Sequence, residues 1–294
     1  EALTVLGDLG HVYQMRGEHD KALNCFCRIL EELNADDSSG RADALSCMAD
    51  IYKSQGTYFK AEECTKRCLL EWELSGNKAG AARCMASLGS LYQLQGAFKR
   101  AKECYDAAWH QLEDLGDLAA AANVQSKLGD VYFQEKMWPQ AMECYEKSLR
   151  ALEGTDAARV LNSMGLACQE QENWELAANY LERSIQIQEQ LGDPCDMAES
   201  LSSLGCLHYR LGRHDEALKC YQRCLEIKEL HKNPAGLPAI LNNMGLIHAD
   251  LEEWEAATSC FQRSIDLLER SGESLAAGPG HVRPGLYALP AWRD

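Results

Sequence analysis

The chain has 294 residues, 46 % of them apolar, with 29 basic against 45 acidic side chains and a net charge of −16. A balance this acidic disfavours nucleic acid and anionic membrane surfaces as main partners and steers basic partners inward. No run of about 18 apolar residues offers a membrane span, and no signal-like start precedes the first helical pattern.

One order of residues recurs seven times: a Leu-Gly-type pair, an aromatic, a tight turn, an alanine and a second aromatic. The third copy is the plainest, with Leu88-Gly89, Tyr92, Gly96, Phe98, Ala101, Tyr105 and Ala108. The pairs begin at Leu9, Met48, Leu88, Leu128, Met164, Leu204 and Met244, so the spacings are 39, 40, 40, 36, 40 and 40 residues. A fixed period of this kind marks a repeat array. Apolar residues follow helical spacing on both sides of each turn, which predicts two amphipathic helices, A and B, folded back as a hairpin. Helix B carries Ala22, Ala61, Ala101, Ala141, Ala177, Ala217 and Ala257 at one place. Helix axes ~8–10 Å apart leave little room there for anything larger. The glycine of the pair, kept in six copies, costs about 1 kcal/mol relative to alanine inside a helix and has to be offset by packing.

In chain order, repeat 1 spans about 1–35 and is followed by a polar connection over 34–40. Repeat 2, about 38–75, departs most from the pattern, with Ala49 for the glycine and Thr65 for the second aromatic. Repeats 3 and 4, about 78–115 and 118–153, are the most regular. The spacing of 36 after repeat 4 predicts a helix B or a connection about one turn shorter. In repeats 5, 6 and 7, about 156–191, 194–231 and 234–271, the helix A tyrosine becomes Cys168, His208 and His248. Asp193-Pro194 and Asn233-Pro234 read as capped helix starts. Gly76, Gly116, Gly192 and Gly272 read as left-handed stops of helix B. At the inter-helix turn Lys136, Glu172 and Glu252 replace glycine, each followed two residues later by a tryptophan, Trp138, Trp174 or Trp254, expected to anchor a less permissive turn. The segment 272–294 holds Pro279, Pro284 and Pro290 with Gly278, Gly280 and Gly285 after Gly272 and reads as a mostly disordered tail. The alternative is that Leu286, Tyr287, Leu289 and Trp292 pack back onto repeat 7. The helical pattern already running at Glu1 reads as part of something longer.

The order Leu-Gly, Tyr, Gly, aromatic, Ala, aromatic resembles the tetratricopeptide repeat, the TPR, over residues 1–271. The resemblance implies an all-α fold, a right-handed superhelical solenoid of seven hairpins and about 14 helices. The period is longer than the usual 34 and the usual closing proline is missing. That longer form looks like the TPRs of LGN-type cell-polarity adaptors and related scaffolds. A TPR array implies protein binding in a concave groove lined by the A helices, without catalysis. The Lys and Asn that chaperone-adaptor TPRs place two before and two after the Leu are paired in no copy. Arg159 with Asn162, and Asn242 with Asn243, partly match the LGN-type pattern, whereas Ser87, Lys127 and Ser203 at its Asn position do not.

Fourteen cysteines follow the repeat rather than a disulfide framework: Cys25, Cys64, Cys104, Cys144, Cys220 and Cys260 share one position on helix B. Successive B helices lie two packing distances or ~16–20 Å apart, and bridging needs Cα atoms within about 7 Å. These six are therefore expected to stay free as small buried hydrophobes, in a reducing compartment, cytosol or nucleus, with the cytoplasm preferred. His208 and His248 are the best titratable candidates and read as half-buried packing residues in tyrosine positions. Cys64 with Cys68 and Cys220 with Cys224 sit one turn apart, without the Cys-x-x-Cys knuckles of a zinc site. Cys195 reads as an exposed turn thiol. With no phosphate loop, nucleophile elbow or dinucleotide motif, neither catalytic residue, metal nor cofactor is expected.

Helix geometry selects the residues that reach the groove. Those two before and two after each Leu or Met share a stripe with the residue five after it. This gives Gly7 and His11, Ser46 and Asp50, Ala86 and Ser90, Ser126 and Asp130, Asn162 and Leu166, Ser202 and Cys206, Asn242 and Leu246. Farther along lie Lys53, Gln93, Phe133, Gln169 and Tyr209, bordered by Arg83, Arg159 and Arg210. The partner-binding set is Asp50, Lys53, Arg83, Asn123, Ser126, Asp130, Arg159, Asn162, Tyr209, Arg210, Asn242 and Asn243. The stripe, mostly small or polar, suits an extended or helical segment of another protein, a basic one included, whose backbone asparagine amides can hold. Two alternatives stand beside this adaptor reading: a scaffold that self-associates through the repeat 7 end, and the regulatory arm of a larger enzyme.

Overall fold

The computed structural model describes residues 2–34, 36–192, 194–231, 233 and 235–271. Among them are fourteen helices and no strand. They are α1 (Ala2–Met15), α2 (His19–Glu32), α3 (Ser38–Ser54), α4 (Tyr58–Leu74), α5 (Lys78–Leu94), α6 (Phe98–Asp114), α7 (Leu118–Gln134), α8 (Trp138–Leu149), α9 (Gly154–Glu170), α10 (Trp174–Leu191), α11 (Pro194–Arg210), α12 (His214–Leu230), α13 (Leu237–Asp250) and α14 (Trp254–Ser271). They group into two compact units, Glu1–Leu152 with α1–α8 and Glu153–Asp294 with α9–α14. Within each unit every odd-numbered helix A packs on its own helix B, and each B packs on the A that follows. Among the described residues no helix is long and apolar enough to cross a membrane.

The hairpins close on the small residues. Ala22, Ala61, Ala101, Ala141, Ala177 and Ala217 are fully buried and Ala257 nearly so. The paired glycine does the complementary job, because a Cβ on Gly89 would stand 2.8 Å from the Tyr105 ring and one on Gly129 2.6 Å from Tyr145. The aromatic of helix B therefore fills the place where helix A has no side chain. Repeat 2 changes both partners together: Ala49 supplies a methyl and Thr65 withdraws the ring. Thr65 is 3 % exposed and donates its hydroxyl to the Ala61 carbonyl at 2.8 Å.

The seven inter-helix turns share one left-handed residue, at Gly17, Gly56, Gly96, Lys136, Glu172, Gly212 and Glu252, with φ between 59 and 74°. The next amide closes each turn on a carbonyl five residues back, as in Ala97 N–H to Tyr92 O at 2.8 Å and Met137 N–H to Tyr132 O at 2.9 Å. This six-to-one bond belongs to the Schellman stop and holds a lysine or glutamate where glycine is cheaper by about 1–2 kcal/mol. The tryptophan anchor applies to two of the three turns. Trp138 is half-buried with its ring 5.0 Å from Phe133, and Trp174 is half-buried, but Trp254 is 64 % exposed and anchors nothing.

Helix lengths account for the irregular spacing. α8 has 12 residues where α6 has 17, so the shortening lies in helix B of repeat 4. Gly76, Gly116 and Gly192 are left-handed at the ends of their B helices. α3, α5 and α7 start at side-chain caps, with Asp37, Asn77 and Asp117 accepting from the amides of Gly40, Gly80 and Ala120. The expected start of repeat 7 is corrected. Asn233 Oδ1 accepts from Ala235 N–H at 3.1 Å, Gly236 takes φ 80°, and α13 begins only at Leu237, with Pro238 in its first turn. Asp193, Pro234, the Cys195 side chain, Gly272 and the tail with Leu286, Tyr287, Leu289 and Trp292 lie outside the described residues.

Candidate partner-binding face

The A helices present one polar face in each unit, and successive A helices touch directly, α5 with α7 in the first unit, α9 with α11 and α11 with α13 in the second. In the first unit a cleft of about 30 Å³ opens between α3 and α5. Ser46, Asp50 and Lys53 of α3 and Ser87 of α5 line it above Thr65, Cys68 and Cys84. Lys53 Nζ donates to Ser90 Oγ at 2.9 Å and so ties the two helices across the cleft. Arg83 is exposed on α5, and beside it burial raises the Asp43 carboxyl, with Arg83 offsetting part of the rise. On α7 the Ser126 hydroxyl donates to the Asn123 carbonyl at 2.9 Å.

Asp130 differs from the other acids of the face. Its Oδ1 accepts from the Tyr145 hydroxyl at 2.7 Å, yet burial pushes the carboxyl up to about 6 against that bond and the nearby Lys127 charge. Tyr145 reaches Asp130 from helix B by passing over Gly129. Tyr105 passes Gly89 in the same way and donates to Gln93 Oε1 at 3.1 Å. Buried rings thus carry hydroxyls up to the A-helix face. The sequence reading missed this role, and its only signal is tyrosine rather than phenylalanine at those positions.

In the second unit Arg159 is exposed on α9 but already bonded to Asp156, with Asp196 at 3.7 Å. Asn162 is half-buried, and its Oδ1 accepts no hydrogen bond. Tyr209 donates to Asp250 Oδ2 at 2.7 Å and stacks on His214. Arg210 and Asn242 are exposed. Asn243 is not on the face: it is 4 % exposed and donates to the Tyr221 hydroxyl at 3.2 Å. The reason is geometric, since one residue along a helix turns the side chain by about 100°. Gln169, Ala86 and Cys206 are likewise buried, with Gln169 donating to the Ser203 carbonyl at 3.3 Å.

His208 is half-buried, and burial with the Arg213 charge lowers its pKa. His248 Nδ1 lies 2.6 Å from Glu253. Among the described residues no three His, Cys, Asp or Glu side chains converge. The six repeat-position cysteines are free thiols, and burial pushes Cys144 and Cys220 up to about 11. A groove of about 300 Å³ lies elsewhere in the second unit, over Leu201 and Leu204 of α11 between α10 and α12.

The fold and the face define a helical-repeat protein, and comparison with known families settles which one. The tetratricopeptide repeat model matches residues 40–109 and 156–229, and a second tetratricopeptide repeat model matches 239–271. The chain belongs to the tetratricopeptide repeat family. Among curated proteins no sequence match was found. Solved structures share its fold at low identity. The apo form of RapI is 13 % identical over 93 % of this chain and 100 % of its own, with a TM-score of 0.69. The apo quorum sensor NprR from B. thuringiensis is 14 % identical over 91 % of this chain and 76 % of its own, with a TM-score of 0.71. A Rap protein complexed with competence and sporulation factor is 14 % identical over 91 % and 75 %, with a TM-score of 0.65.

Proposed function

We propose that this chain is a non-enzymatic adaptor, acting in the cytoplasm, whose repeats over 1–271 bind an extended or helical segment of another protein along the A-helix face. The observation that carries the reading is Asp130, a desolvated carboxylate held by Tyr145 on the A-helix face. The nearby Lys127 charge only partly offsets the burial of this group. A lysine or arginine of the incoming segment supplies a further cation, in keeping with the net charge of −16. Asp50 adds a second acid in the same unit, exposed where Asp130 is not. The Rap protein complexed with competence and sporulation factor supports the reading by likeness of fold. The experiment is selection from a library of short linear peptides, followed by calorimetry. Basic peptides are expected, binding about tenfold more tightly at pH 7 than at pH 5, because Asp130 loses its proton to solvent over that range and faces the bound cation as a carboxylate. Enrichment of acidic peptides, or affinity unchanged by Asp130→Asn, sinks the reading.

A further inference from the structure

The Cys68 and Cys84 sulfurs lie 3.1 Å apart, one on α4 and the other on α5. Both side chains are buried, at 1 and 6 % exposure. The other junctions of this kind show what the position ordinarily holds. Ser184 pairs with Ser200 at 2.9 Å, and Cys68, Ser184 and Cys224 each donate to a carbonyl 26 residues back. The helix B half is a small hydroxyl or thiol in five of the seven repeats, the facing helix A half is otherwise apolar apart from Ser200, as at Val124, Val160 and Ile240, and among the described residues only repeats 2 and 3 fill both halves with thiols. A bonded pair stands at about 2.05 Å, so ~1 Å of approach separates this contact from a disulfide.

The pair is also reachable. Both cysteines line the α3–α5 cleft of about 30 Å³, and a water-sized molecule needs roughly 10–15 Å³. Ser46, Asp50 and Ser87 at the cleft are exposed. Hydrogen peroxide fits where a bulky reagent does not. We propose that Cys68 and Cys84 are an oxidative modification site that closes to a reversible disulfide, stapling α4 to α5 beneath the cleft.

The chemistry balances with a hydroperoxide as the oxidant. Cys84 gives up its proton and its thiolate attacks one peroxide oxygen; the O–O bond breaks, the sulfenic acid forms, and the hydroxide that leaves the peroxide takes up the Cys84 proton as water. The Cys68 thiol then attacks the Cys84 sulfur, the S–O bond breaks, and the second hydroxide takes up the Cys68 proton as water. Two thiols and one peroxide give one disulfide and two waters, each sulfur losing one electron to oxygen. The contact between the two thiols lowers Cys84 and, together with burial, raises Cys68 and keeps it protonated, which sets the order of attack. This site is independent of the peptide-binding reading.

The test uses the folded full chain, treated with a few equivalents of hydrogen peroxide, quenched by alkylation, digested with trypsin and mapped by mass spectrometry. Cleavage after Arg67, Lys78, Arg83 and Lys99 isolates peptides 68–78 and 84–99. The expected product is these two peptides joined, two hydrogens lighter than their sum and released by dithiothreitol. It is absent from Cys68→Ser and from Cys84→Ser, both checked for unchanged helicity. Recovery of both cysteines as alkylated thiols overturns the proposal, as does a link that forms only in urea. Pairing of Cys68 with Cys64 does so too.

Discussion

Gly129 and Tyr145 show how a single contact sets the repeat. The missing Cβ leaves the tyrosine ring room to pass and deliver its hydroxyl to Asp130. Gly129→Ala forces the ring aside and is expected to cost about 1–3 kcal/mol by overpacking, read as a lower urea midpoint. Repeat 2 supplies the control: in a Tyr145→Thr background, which copies Ala49 with Thr65, the same alanine should cost far less. Equal cost in both backgrounds removes the pairing. Lys136 makes the opposite case, a left-handed residue with a side chain. Lys136→Gly should stabilise by about 1 kcal/mol, visible as a higher urea midpoint. Asp130 predicts a pH dependence. Its folded pKa, about 6, lies above the usual 3.8, so the folded state binds more protons between these values. Its contribution to stability is greatest below about 4 and declines as pH rises through 6. Asp130→Asn should flatten that slope in urea melts at pH 5 and 7. The left-handed turn positions were legible in the sequence because Lys136, Glu172 and Glu252 fall in register with glycines. The Gly–Tyr contact was not, since its partners sit 16 residues apart on different helices.

At the scale of the helix, the start and stop of each element decide what the face presents. The caps at Asp37, Asn77 and Asp117 fix where α3, α5 and α7 begin. Asp117→Ala is expected to cost about 1 kcal/mol and to weaken hydrogen-exchange protection in the first turn of α7; unchanged protection there denies the cap its role. The shortened repeat 4 could be read from the spacing of 36, and α8 carries the loss. The start of α13 was misplaced because Asn233 serves an isolated turn and Gly236 interrupts the backbone before the helix. Periodicity assigns Asp50, Lys53 and Asn242 to the A-helix face, and all three are exposed or half-buried. Asn243, taken from the LGN-type resemblance, lies one residue out of that phase, where its amide meets a tyrosine hydroxyl in the core. Cys68 and Cys84 escaped notice for a related reason. The cysteine argument compared like positions in successive repeats, whereas contact runs from helix B of one repeat to helix A of the next.

For the whole molecule, a repeat array derives its stability from neighbouring hairpins and its specificity from whatever side chains line the shared face. The excess of 45 acidic over 29 basic residues adds a long-range attraction for basic segments that salt screens. Association rates with a basic peptide should therefore fall as ionic strength rises, measured by stopped flow; salt-independent rates count against electrostatic steering. The most direct test of the account is calorimetric titration of a library-selected peptide into the wild-type chain and into a variant carrying Asp50→Ala, Lys53→Ala and Asp130→Asn, matched for helicity. The account predicts that affinity falls at least about tenfold in the variant, equivalent to ~1.4 kcal/mol. Equal affinity in the two proteins would place binding away from the A-helix face of the first unit and contradict it.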